Sequence, residues 1–185
     1  MPDFYWSNAM THDKQRRVTL KNLKVADFAS QATLCFTAVV LFDGVPLADA
    51  RNDGRGGMTF IDIREGQAER AKEATRFAAD LPDAIIHGVS ISVTLDFLVD
   101  FLAARTHEER QLRAAFRRDI ANKVLFVRGD RLLYLKGVKL KSIPDKVGYF
   151  AQMRARIPEP ITILAELPTE EAFQLWKGLT APADC

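Results

Sequence analysis

Residues 34–63, LCFTAVVLFDGVPLADARNDGRGGMTFIDI, decide the fold class. They read as three strands folded back through two glycine-bearing turns. Side chains alternate along a strand, so Leu34, Phe36, Ala38, Val40 and Phe42 share one face, and Cys35, Thr37, Val39 and Leu41 the other. Both faces are largely apolar, which predicts a strand covered on both sides. Asp43-Gly44 supplies the positive-φ pair that a tight hairpin turn prefers. Pro46 lacks an amide donor, which places the second strand at an edge or delays its start. The second turn, Asn52-Asp53-Gly54-Arg55-Gly56-Gly57, carries more glycine and polarity than a reversal needs.

Upstream, Val18 to Phe28 alternates apolar and polar residues but slips at Asn22, which predicts a bulged strand or two short ones. Downstream, Arg64 to Ala79 is a helix with Ala68, Ala71, Ala74, Phe77 and Ala78 on one side, and Leu81-Pro82-Asp83 ends it. Ile85 to Val93 fits a short strand or a loop. Phe97, Leu98, Phe101 and Leu102 form an apolar helical stripe. Thr106-His107-Glu108-Glu109 has capping-box spacing, so the helix is expected to break at Arg105/Thr106 and a new one to run through Asn122, burying Leu112, Phe116 and Ile120. Lys123 to Lys136 reads as a second hairpin turning at Gly129-Asp130. A helix over Lys146 to Arg156, a short strand at Ile161 to Leu164 and a last helix capped by Thr169 complete the chain. The fold class is therefore α+β: an antiparallel sheet, made of a meander plus the second hairpin, packed with four to five helices.

The 185 residues suit one domain over 18–180. Residues 1–17 read as a disordered tail or tag remnant, Ser7-Asn8-Ala9-Met10 resembling a cloning scar, and 181–185 as a second tail. No apolar run reaches the length of a membrane span and the N-terminus has no secretory pattern. With only Cys35 and Cys185, far apart, no disulfide framework is indicated; the expected location is the cytoplasm.

Net charge is +2, but unevenly spread: −3 over residues 1–100, +9 over 101–156 and −4 over 157–185. Arg110, Arg113 and Arg117 line one flank of a helix beside Arg118. Arg128, Arg131 and Lys136 follow on the hairpin, then Lys139, Lys141 and Lys146. Sharing a face, they would neutralise several phosphates. The alternative is a solvated face with partial pairing, for example Glu109 with Arg113.

The glycine turn has two readings as well. Its amides and Arg55 could cradle a phosphate, or the glycines could serve a turn that needs positive φ. It lacks the Lys-Ser/Thr end of a P-loop and precedes a strand, not a helix. Asp49 and Asp62 could face each other across the flanking strands, a pairing able to hold a divalent metal. His12, His87 and His107 lack metal-ligand spacing. No catalytic residue and no cofactor is indicated.

The Phe42-Asp43-Gly44 step followed by Asn52 to Gly57, together with Arg117 to Tyr134 and Leu167 to Trp176, resembles small uncharacterised proteins of bacterial phages, prophages and other mobile elements. The resemblance covers most of the chain beyond Thr11. It implies neither catalytic residues nor an established fold, but a setting where small inhibitors and host-takeover factors are common.

The expectation is thus a non-enzymatic binding module docking its basic surface on nucleic acid or an acidic host protein, in an anti-defence or regulatory role. The rival is a small enzyme acting on a phosphate-bearing ligand at Asn52 to Gly57, with metal assistance. A third reading is an oligomer formed through an edge strand near Pro46.

Overall fold

Val18–Val25 (β1), Cys35–Phe42 (β2), Val45–Asp53 (β3) and Phe60–Ile63 (β4) pair as an antiparallel meander in the order β1-β2-β3-β4. This is seen in the computed structural model, which describes residues 15–86 and 88–180. The expected cloning scar, His12, His87 and Cys185 lie outside those residues. Asp43 and Gly44 turn the β2–β3 hairpin with φ of +49° and +77°, as their chemistry dictates. The slip at Asn22 is a bulge: its φ is +55°, and the β1–β2 register shifts between Lys21 and Lys24.

Two expectations about this sheet are corrected. β3 is an interior strand, so Pro46 does not mark an edge; the edges are β1 and β4. Pro46 is accommodated because the β2–β3 register shifts beside it and β4 pairs β3 only from Ala48 to Arg51. Nor is β2 covered on both sides. Phe36, Ala38, Val40 and Phe42 are buried, whereas Cys35, Thr37, Val39 and Leu41 belong to none of the apolar clusters. Apolar content on the outer face is present, but among the described residues it joins no apolar cluster.

Ala68–Ala79 (α1) and the first part of Leu95–Asn122 (α2) cover the inner face. Ala74 and Ala78 give α1 a flat contact, and Leu95, Leu98, Val99 and Ala103 of α2 fill the same core. Ala84–Ile86 (β5) and Val89–Ile91 (β6) form a separate small hairpin, which settles the ambiguous Ile85 to Val93 stretch. Arg17, expected in a tail, is an anchor. Its guanidinium donates to both Asp43 carboxylate oxygens at 2.9 and 2.6 Å and to Glu73 at 2.6 Å, and it lies 4.4 Å from the Phe42 ring centroid.

The remaining elements are Leu125–Arg128 (β7), Arg131–Tyr134 (β8), Lys146–Arg156 (α3), Ile161–Ile163 (β9) and Thr169–Thr180 (α4). β8-β7-β9 is a three-stranded antiparallel sheet, its hairpin turned by Gly129 at φ +60° and Asp130. Its two faces meet different helices. Leu125, Val127 and Leu132 pack with Phe116 of α2 and with Ala172, Phe173 and Trp176 of α4. Phe126, Leu133 and Ile163 pack with Phe150 and Met153 of α3. Asp145 caps α3, its carboxylate accepting from the Gly148 amide at 3.0 Å.

The fold is α+β, with four α-helices among the described residues. Where one domain is expected, the chain divides into two compact units, the first running to Glu108 and the second from Glu109. No helix among the described residues is long and apolar enough to cross a membrane.

The expected break at Arg105/Thr106 does not occur: α2 is continuous over 28 residues. No Gly or Pro interrupts it, and Arg105–Glu108 and Glu109–Arg113 ion pairs sit at helical spacing across the site. Proline is tolerated as the first residue of a new helix, but inside a continuous one it costs about 3 kcal/mol or more. His107→Pro is therefore expected to lose at least that much stability in urea unfolding beyond His107→Ala, which gives up the 2.8 Å pairing with Asp27 but keeps the backbone amide.

Candidate functional site

The Asn52 to Gly57 loop is built around the Asn52 amide, buried with 3 % exposure. Its carbonyl oxygen accepts from the Thr33 hydroxyl and the Gly54 amide, each at 2.9 Å. Its NH2 donates to the Gly57 carbonyl and the Thr59 hydroxyl, each at 3.1 Å. Thr59 in turn donates to Asp100 of α2 at 2.6 Å. Two more loop amides are engaged: Arg55 N–H donates to the Asp53 carboxylate, and Gly56 N–H to the Thr33 hydroxyl. The Gly54, Arg55 and Gly56 amides are thus already occupied by acceptors of the protein's own.

A cradle does exist, but the loop fills it. The successive N–H groups of Gln31, Ala32 and Thr33 converge on the Gly54 carbonyl at 2.9, 2.9 and 3.3 Å. Gly54 sits at φ +81°, and a Cβ there would lie 2.3 Å from the Ala29 carbonyl oxygen. Asp49 and Asp62 are register partners as expected, but Asp49 accepts from Arg64 at 2.8 and 3.0 Å, which holds its carboxyl below the usual range. Among the described residues no group of three or more His, Cys, Asp or Glu is placed to hold a metal ion.

The expected basic surface is divided by the second sheet. Arg128 and Arg131 are register partners on the face shared with Phe126 and Leu133, the face that carries α3. Arg110, Arg113 and Arg117 belong to α2, which packs on the other face through Phe116. A charge count along the chain cannot see which layer each residue joins.

Arg113 is structural. It donates to Glu109 at 2.9 Å and to both Glu170 oxygens at 2.8 and 3.0 Å, and it stacks 4.2 Å from the Phe173 centroid. These bonds, with a Gln174 donor, hold the Glu170 carboxyl down to about 2. Arg117 donates to the Arg113 carbonyl. Arg128 pairs with Glu159 at 3.1 Å; an exposed pair of this kind is worth about 1 kcal/mol or less, so a partner's anion can replace it. Arg118, Arg131, Lys136 and Lys139 are exposed and make no ion pair among the described residues.

Sequence reasoning missed the outer face of the first sheet. Lys24 pairs Thr37, Thr37 pairs Arg51 and Arg51 pairs Phe60, one row across all four strands, every member exposed. The bulge aims Lys21 and Lys24 to the same side, although their spacing of three would put them on opposite faces of a regular strand. The Asn22 slip was the available signal, but its consequence depends on pairing register. No family model, curated protein or solved structure matches the chain.

Gly54→Ala is expected to destabilise by about 1–3 kcal/mol, the usual cost of forced backbone strain, with more from the clash. Gly57→Ala, with open space around it, should stay within about 0.5 kcal/mol. Paired thermal melts test this. Burial raises the Asp100 carboxyl above its ordinary value, opposed by the Thr59 hydrogen bond. The folded state therefore binds the proton more tightly than the unfolded state, and stability is lost as pH rises through that raised value. Asp100→Asn keeps the acceptor for Thr59, so its melting temperature should match wild type at low pH and exceed it at neutral pH.

Proposed function

We propose that the protein is a non-enzymatic binding module whose second unit presents exposed cations to an acidic partner, nucleic acid or an acidic surface of a host protein. One observation carries the reading: Arg131, Lys136, Lys139, Lys141 and Lys146 follow one another, all exposed, with no ion pair among the described residues. The one carboxylate within residues 131–146 is Asp145, occupied in capping α3. The backbone carrying these lysines is fixed, because Leu135, Val138, Leu140 and Ile143 pack beside Phe150 and Met153.

Arg113 drops out of this surface, being held by two carboxylates and a ring, and Arg128 joins it by exchanging a weak pair. The resemblance to mobile-element proteins supports a regulatory or anti-defence setting for such a module. The rival enzyme reading at Asn52 to Gly57 loses support because the Gly54, Arg55 and Gly56 amides already have acceptors within the protein.

The test is a salt titration of binding to a short DNA duplex and to an acidic polypeptide. Arg131→Glu/Lys139→Glu/Lys141→Glu should abolish retention of the partner with the melting temperature within a few degrees of wild type. Neutral replacements at the three sites should reduce the logarithmic salt slope on DNA by about 3, close to 0.9 for each phosphate no longer neutralised. Wild-type protein that binds neither polyanion, or a charge-reversed variant that binds normally, rejects the proposal.

A further inference from the structure

The outer face of the first sheet is a second candidate surface, independent of the cations in the second unit. Two adjoining hollows lie on it, of about 500 and 620 Å³. They share four residues, Lys24, Thr37, Arg51 and Phe60, which are the members of the cross-strand row. The row is thus a ridge between two depressions, each within the size range that holds a small organic group.

Its chemistry alternates in a defined order. Neighbouring strands are about 4.8 Å apart, so the Lys24 and Arg51 backbones are about 10 Å apart with the Thr37 hydroxyl between them. Two long cationic side chains can close that gap on one phosphate while the hydroxyl donates to it. Neither cation forms an ion pair among the described residues. Phe60 lies next along the row, its ring 5.5 Å from the Arg51 guanidinium, oriented by that contact yet 62 % exposed. A cation pair for a phosphate followed by an aromatic platform for a base matches the repeat of a nucleotide chain.

We propose that this face binds single-stranded nucleic acid, a base stacking on Phe60 and the adjoining phosphate held by Lys24, Thr37 and Arg51. The paired hollows favour a strand over a free nucleotide, which would fill one depression and stay largely solvated on an open face. The carboxylates select against a duplex. Asp53 and Asp62 are exposed on the same face, and Asp49 is neutralised by Arg64. A flexible strand can cross the ridge between these acids, whereas a stiff double row of phosphates cannot avoid them.

Fluorescence anisotropy with labelled oligo-dT and oligo-U tests the proposal on the full chain. Lys24→Ala/Arg51→Ala should weaken binding at least tenfold and lower its logarithmic salt slope by about 0.7, the single-strand value for the one phosphate the two cations hold. Phe60→Ala should weaken it by about 5- to 100-fold, the loss of one stacked base, at unchanged salt slope. All three positions are exposed, and unaltered melting curves would confirm intact folding. Affinity unchanged in both variants overturns the proposal, as does a mononucleotide that competes as well as the strand, or wild type that binds no oligonucleotide at low salt. Arg131→Glu/Lys139→Glu/Lys141→Glu, read in parallel on the duplex, reports on the second unit alone, so either surface can fail without the other.

Discussion

A single buried side-chain amide sets the geometry of the first unit. Asn52 makes the four hydrogen bonds its carboxamide can make, reaching the β1–β2 link, its own loop and Thr59. Each group left unsatisfied by its loss would cost about 1–3 kcal/mol, against a total stability of about 5–15 kcal/mol for a typical domain. Through Thr59 the network reaches Asp100 of α2, so loop and helix are joined by a directional relay of donors. Because the loop has this one conformation, β4 returns with Phe60 beside Arg51 and in no other register. The most glycine-rich segment of the chain is thereby held by side-chain hydrogen bonds from Asn52 and Thr33.

Charge follows the same logic of prior commitment. The arginines that stand out in the sequence divide into those that hold the fold and those that face water. Arg17 and Arg113 each combine two carboxylates with an aromatic face. Such arginines join elements distant in sequence, Arg113 bringing α2 to α4. Lysines, lacking the planar fork, are left mostly at the surface of the α3 layer, where a compact, hydrated charge suits reversible contact.

Much of this architecture could be read from local chemistry. Asp43-Gly44 and Gly129-Asp130 specify their hairpins through backbone preference alone, and the alanines of α1 announce a close-packed face. The continuity of α2 could not be read, because Thr106 and Glu109 satisfy a capping rule that a helix interior also tolerates. The outer face of β2 looked core-like because composition reports how apolar a strand is, not whether a layer exists to cover it. The division of the basic segment and the Lys24 to Phe60 row were hidden for one reason. Both depend on which residues stand opposite each other, a property of pairs of strands and not of any one of them.

The bulge at Asn22 has a consequence for how this chain can drift in evolution. Exchanging one side chain for another at Lys21 or Lys24 leaves the core untouched, because both are exposed on the outer face. Asn22 and Leu23 together stand opposite Ala38, so losing Asn22 would leave Lys21 opposite Val39, Leu23 opposite Ala38 and Lys24 opposite Thr37, an unbulged strand with both cations still outward. That strand can thus shed its extra residue without turning its core leucine out.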